Sequence, residues 1–203
     1  MKMAELTITT FLTLDGVMQA PGTPTEDTSG NFAHGGWVFP YFDADMGDIM
    51  TGIFEKADAF LLGRGTYDIF AAYWPKVTDA KDVIAAKLNT LPKHVASRTP
   101  QILAWHNSKL VHDVVQDVKT LKAQYGREVQ VHGSAGLAQT LIEHDLIDEY
   151  RLLVFPVTIG FGKRLFGNGT RPAALQLVNT QATGTGAILQ VYRRDGKLRT
   201  GSF

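Results

Sequence analysis

Between Ala57 and Val157 short apolar or β-branched runs alternate with segments whose apolar residues recur every three to four positions, and few architectures accept such a pattern. The spacing predicts strands over Ala57 to Leu62, His94 to Ser97, Ile102 to Trp105, Glu128 to His132 and Glu149 to Val157. In the last of these, Leu152-Leu153-Val154-Phe155 suits burial on both faces. Helices are predicted from Phe42 through Met46, Ile49, Met50, Ile53 and Phe54, over Thr66 to Tyr73, over Asp79 to Leu91 with Asp79 as N-cap, over Asp113 to Tyr125, and over Ser134 to His144. Ahead of the alternation, Leu6 to Leu14 reads as a strand ended by Asp15-Gly16. Behind it, Leu175 to Ala182 and Ala187 to Arg193 flank Thr183-Gly184-Thr185-Gly186 as an antiparallel hairpin. The expected fold is α/β in three layers: a central mixed, mostly parallel sheet, helices on both faces, and a C-terminal antiparallel hairpin, in one domain spanning 1–203.

Composition narrows the function. Lys plus Arg (20) equals Asp plus Glu (20), and no stretch concentrates basic residues, so bulk charge does not select nucleic acid. With no cysteine, disulfides, thiolate nucleophiles and Cys-ligated zinc are excluded, and a reducing, cytoplasmic setting is expected. No run approaches the roughly 18 apolar residues of a membrane span. The six histidines show no metal-ligand spacing, so no metal is expected.

Three predicted strand ends share one chemical character: Gly63-Arg64-Gly65-Thr66, Ser97-Arg98-Thr99, and Gly133-Ser134-Ala135-Gly136. Glycine lets the backbone approach a phosphate, a following helix N-terminus offers unpaired N–H groups, and arginine grips phosphate oxygens with a planar fork. The pyrophosphate and 2′-phosphate of an NADP-type dinucleotide would occupy all three. The long Gly- and Pro-containing stretch after Asp15 leads to Trp37, Phe39, Tyr41 and Phe42, which suit either an apolar wall for a flat ring or core packing. Asp48 on the next helix and Asp15 at the first strand's end bring carboxylates to this region, at positions that by themselves suit a helix-start charge and a turn.

On these segments the chain resembles the dihydrofolate-reductase-like superfamily, in particular the reductase domain of the bifunctional riboflavin-biosynthesis deaminase-reductase and its stand-alone relatives. The matching residues are Thr13-Leu14-Asp15-Gly16, Leu62-Gly63-Arg64-Gly65-Thr66-Tyr67, Ser97-Arg98, Val131-His132-Gly133-Ser134-Ala135-Gly136-Leu137, and Phe155-Pro156-Val157-Thr158-Ile159-Gly160-Phe161-Gly162-Lys163-Arg164-Leu165-Phe166. The resemblance implies NADPH, with Arg64, Thr66 and Tyr67 at phosphates, Ser97 and Arg98 near the 2′-phosphate, Gly133, Ser134, Ala135, Gly136 and Leu137 under the pyrophosphate, and Gly16 and Val17 beside the nicotinamide. It implies a small-molecule substrate against Trp37, Phe42 and Phe155, with Asp15 and Asp48 as catalytic candidates. A 5-amino-6-(5-phosphoribosylamino)uracil-like substrate is the first expectation, another pterin or small carbonyl or imine the second, and a non-catalytic NADPH-binding module the third. Zinc deamination is excluded, because its P-C-x-x-C segment needs cysteine. Related domains pair and the C-terminal strands are apolar, so a homodimer is expected.

Overall fold

A computed structural model describes residues 3–100 and 102–202. Its elements run β1 (Glu5–Thr13), α1 (Ala44–Glu55), β2 (Ala57–Gly63), α2 (Arg64–Tyr73), α3 (Val83–Thr90), β3 (Lys93–Ala96), β4 (Ser108–Val111), α4 (Val114–Gln124), β5 (Glu128–His132), α5 (Ala135–Glu143), β6 (Glu149–Phe155), β7 (Leu175–Ala182) and β8 (Ile188–Arg194). Among the described residues the strands form a single eight-stranded sheet ordered β4-β3-β2-β5-β1-β6-β8-β7. Pairing is parallel from β4 to β6 and antiparallel for β6–β8 and β8–β7. The three-layer arrangement read from the alternation, with its mostly parallel sheet and C-terminal antiparallel pair, is the one the chain adopts.

Side-chain alternation along the strands divides the core into two layers. On one side Phe60, Leu62, Val95, Leu153 and Phe155 meet the α1 stripe Met46, Ile49, Met50, Ile53 and Phe54. On the other, Leu6, Ile8, Leu61, Val129 and Val131 meet Val118 and Leu121 of α4 and Leu137 and Leu141 of α5. Three helices start on an aspartate whose carboxylate accepts a backbone N–H three residues on: Asp43 from Met46, Asp82 from Ala85 and Asp113 from Gln116. No helix of the described residues is long and apolar enough to cross a membrane.

Two local expectations are corrected. Ile102 to Trp105 is not a strand; Trp105 is buried beneath Tyr67, whereas Ile102 is 97% exposed. The ladder next to β3 is instead β4, six residues later than expected. The α3 cap is Asp82, while Asp79 accepts from Lys81 N–H in a turn ahead of the helix.

Candidate functional site

The C-terminal ends of β3, β2, β5 and β1 are neighbours in the sheet, and strands ~4.8 Å apart place the first about 14 Å from the last. Along that edge lie Ser97-Arg98, Gly63-Arg64, Gly133-Ser134 and Asp15-Gly16, so the three anion-type turns and the Asp15 turn form one continuous rim.

The two central turns interlock. Ser134 takes the left-handed conformation (φ 64°), a cost of order 1 kcal/mol or more for a residue with a side chain, and Gly133 before it has φ 61°. In that conformation the Ser134 hydroxyl accepts from Gly63 N–H (3.0 Å) and donates to Thr66 Oγ1 (2.6 Å). A Cβ at Gly63 would stand 2.5 Å from the Ser134 Oγ, so glycine is required there for the turns to meet. With its hydroxyl so engaged, Ser134 does not cap α5, and Gly63 offers α2 no side-chain cap. In the aspartate-capped helices α1, α3 and α4 a carboxylate takes one of the first N–H groups, whereas α2 and α5 have no side-chain cap. A Cβ placed on Gly65 or Gly136, each in the first turn of its helix, would meet no atom within 4 Å, so both N-termini face open space. The residues present therefore fit a pyrophosphate: uncapped N–H groups, glycine on the approach side, and partial positive charge from two helix dipoles.

Arg64 begins α2 half-exposed and ion-pairs with Asp68 one turn on (2.6 Å), an exposed i,i+4 contact that a phosphate can replace. Ser97 bonds to Thr99 and holds the turn after β3, where Arg98 is exposed. Tyr67, Leu137 and Val17 point inward, Tyr67 accepting from Trp105 N–H (3.0 Å), so their side chains shape the rim from behind.

Asp15 is a clamp. Its carboxylate accepts from the Thr13 hydroxyl (2.6 Å) and from the amides of Ile159 (3.1 Å) and Gly160 (2.7 Å), joining the end of β1 to the loop after β6. The Thr13 hydroxyl, followed by those two amides, holds its pKa down at about 2, so the group is a permanent anion at neutral pH and has no proton to give. Gln19 and Lys163 extend the same seam: Gln19 accepts from Lys163 N–H (3.0 Å) and donates to Asp27 and Ser29 carbonyls, and Val17 bridges Arg164. Sequence reasoning missed Gln19, because a buried amide between two loops leaves no periodic signal.

Asp48 is exposed, on the turn of α1 opposite the buried Met46–Ile49–Met50–Ile53 stripe, and does not face the sheet. Of the expected aromatic wall, Phe155 is fully buried and Trp37 nearly so, its indole N–H bonded to the Gln19 carbonyl (2.8 Å) and its ring edge-on to Phe155 (centroids 5.6 Å). These two rings are core. Phe42 is half-exposed, and the partly exposed apolar groups at this end of the sheet are Phe11, Tyr41, Val157 and Ile159. Phe11 was legible only as a strand residue; its partial exposure follows from β5 ending at His132, next to the side-chain-free Gly133. His132 itself stacks on Phe54 (4.3 Å) and contacts Gln130; burial, then the Arg151 charge, lowers its pKa to about 3 and keeps it neutral.

The eight-stranded sheet, parallel from β4 to β6 and antiparallel through β6-β8-β7, has the dihydrofolate-reductase-like fold. Within that class the chain is a member of the RibD C-terminal domain family, which residues 4–189 match. It is 31% identical over 156 residues to the uncharacterized protein YyaP of Bacillus subtilis, covering 76% of this chain and 82% of that protein. A putative riboflavin biosynthesis protein from Shewanella superposes with a TM-score of 0.66 at 20% identity, over 94% of this chain and 99% of the other. Enterococcus faecalis dihydrofolate reductase, solved with NADP(H) and an RAB-propyl compound, superposes with a TM-score of 0.60 at 11% identity, over 94% and 96%. The family supports a reductase role.

Proposed function

We propose that the chain is an NADPH-dependent reductase of a small heterocyclic or ribosylamine substrate, of the 5-amino-6-(5-phosphoribosylamino)uracil type, acting in the cytoplasm. The observation that carries this reading is the pair of uncapped helix starts, α2 and α5, locked together by Ser134 and Thr66 with open space over Gly65 and Gly136. Their N–H groups would hold the pyrophosphate, Arg64 and Arg98 the 2′-phosphate, and the Gly16 turn would border the nicotinamide. When bound, the cofactor supplies the hydride. The chain's part is placement: the Asp15 clamp keeps the loop after β6 against the end of β1, and Phe11, Tyr41, Val157 and Ile159 offer an apolar, partly open surface for a flat ring. Asp15 is assigned positioning instead of proton transfer. The Enterococcus structure named with NADP(H) favours the same cofactor here.

Titration of nicotinamide fluorescence tests the reading. NADPH is expected to bind more tightly than NADH, and Arg64→Ala and Arg98→Ala should each weaken NADPH by about 1.5–3 kcal/mol, roughly 10- to 150-fold, with a smaller loss for NADH. Equal losses for both cofactors would remove the 2′-phosphate assignment, and absence of NADPH binding would remove the reading.

We also propose a homodimer. β7 is an eight-residue edge strand without a charged residue, all exposed except Leu175, and α4 and α5 lie over β1, β5 and β2, away from the sheet end it borders. Exposed Leu177 and Ile188 share the uncovered face with Tyr192 and Val154. Long uncharged edges of this kind are normally covered. Ile188→Asp should convert a dimer to a monomer in sedimentation analysis, whereas a monomeric wild type would refute the pairing.

A further inference from the structure

Arg164 lies in the loop after β6, outside the three anion-type turns. Its backbone is held on two sides: the carbonyl accepts from Gln139 Nε2 of α5 (3.2 Å), and the residue bridges Val17. Its side chain then crosses to the end of β1, where Nη1 lies 3.6 Å from the position a Cβ of Gly16 would take. Gly16 has φ 82°, so the turn conformation favours glycine, and a Cβ there would stand in ordinary contact with the guanidinium. Arg164 thus joins α5, the helix that starts at the Gly133 turn, to the end of β1.

The guanidinium is held in place but little used. A guanidinium carries five N–H donors. Among the described residues, the side chain makes one hydrogen bond, Nη2 to the Gly160 carbonyl (3.0 Å), and one long ion pair, Nη2 to Asp15 Oδ2 (3.5 Å). The Asp15 carboxylate is already served by Thr13, Ile159 and Gly160, so it does not require the arginine. Of the arginines facing carboxylates outside the three anion-type turns, Arg151 is buried between Glu128 and Glu149, and Arg193 and Arg194 each join two acids. Arg164 keeps 36% of its side chain exposed with Nη1 and Nε outside those contacts.

We propose that Arg164 grips a phosphate oxygen at the β1–β6 end of the rim. It is the one arginine there, among those the contacts place, that is oriented by the fold and has donors open in a fork. The phosphate has two possible sources, the nicotinamide-side phosphate of the dinucleotide or a phosphate on the substrate. This inference rests on the dinucleotide reading for the first source and is independent of it for the second.

The test uses the full chain and the variants Arg164→Ala and Arg164→Lys, with thermal melts to confirm folding. The probes are NADPH, reduced nicotinamide mononucleotide, 2′,5′-ADP, and ribose 5-phosphate followed by calorimetry. If the phosphate is the cofactor's, Arg164→Ala weakens NADPH and reduced nicotinamide mononucleotide tenfold or more, leaves 2′,5′-ADP unchanged, and Arg164→Lys recovers part of the loss. If it is the substrate's, only ribose 5-phosphate binding falls. Unchanged binding of every probe, or an equal loss that includes 2′,5′-ADP, overturns the proposal. Wild type that binds NADPH with no effect of Arg164→Ala on any probe refutes Arg164 and leaves the dinucleotide reading intact. Wild type that binds ribose 5-phosphate through Arg164 but no NADPH does the reverse, and wild type that binds no probe refutes both.

Discussion

Replacing Asp15 by Asn separates a clamp from a proton donor. The ionised carboxylate accepts three hydrogen bonds, and its pKa stands at about 2 against an ordinary 3.8, nearly two units of preference for the charged form in the folded state. At about 1.4 kcal/mol per unit the upper bound is about 2 kcal/mol of stability, and solvent screening of a carboxylate at the rim brings it nearer ~1 kcal/mol. Because the folded pKa is the lower one, that contribution is complete above pH 3.8 and is lost as pH falls through about 2. An amide keeps the shape but not the charge, and its NH2 group would face the Gly160 or Ile159 N–H. Urea unfolding at pH 7 should therefore show Asp15→Asn less stable by about 1–2 kcal/mol, a gap that narrows in acid as the wild-type carboxylate protonates. NADPH affinity should fall with it, since the loop after β6 is released from β1. The reasoning is refuted if the variant unfolds like the wild type yet loses turnover alone, the signature of a proton donor.

Two further perturbations address the rim and the sheet beneath it. Gly136→Asp should stabilise the fold by roughly 0.5–1.5 kcal/mol, adding a carboxylate and a better helix former to the uncapped start of α5, while abolishing NADPH binding by occupying the anion site; parallel melts and titrations read the opposite signs. His132, with an ordinary pKa of 6.5 lowered to about 3, is neutral in the fold and protonated when unfolded in mild acid, so its contribution is complete above pH 6.5 and declines below it. Its loss should reach about 2 kcal/mol by pH 5, and His132→Gln should flatten that part of the stability–pH curve.

Much of the architecture was legible because its signals are local. The stripe Met46–Ile49–Met50–Ile53 and the glycines closing β2 and β5 mark elements whose period or turn chemistry survives in any context. The errors fall where tertiary structure decides. Ile102-Leu103-Ala104-Trp105 has the apolarity of a strand, but Trp105 is held by Tyr67 and Asn89 instead of by a ladder. β4 is a four-residue edge strand with Ser108 and Lys109 in its first half, too polar to announce itself. Asp79 and Asp82 are equally good caps on paper, and only the chain's path selects one. At the site the presence of turns at the ends of β2, β3 and β5 could be read from glycine, serine and arginine following the strands. The roles of Asp15, Gln19 and Arg164 could not, because each depends on two loops far apart in sequence meeting at β1. Trp37 was ambiguous for the opposite reason, since an aromatic beside a glycine-rich loop looks the same whether it lines a pocket or fills a core.

A crystal structure of the chain with NADPH tests the central claim most directly. The pyrophosphate is expected within hydrogen-bonding distance of the first N–H groups of α2 and α5, over Gly65 and Gly136, with the 2′-phosphate between Arg64 and Arg98 and the nicotinamide at the Gly16 turn. NADPH bound elsewhere, or lying on this rim with its phosphates away from both helix starts, would contradict it.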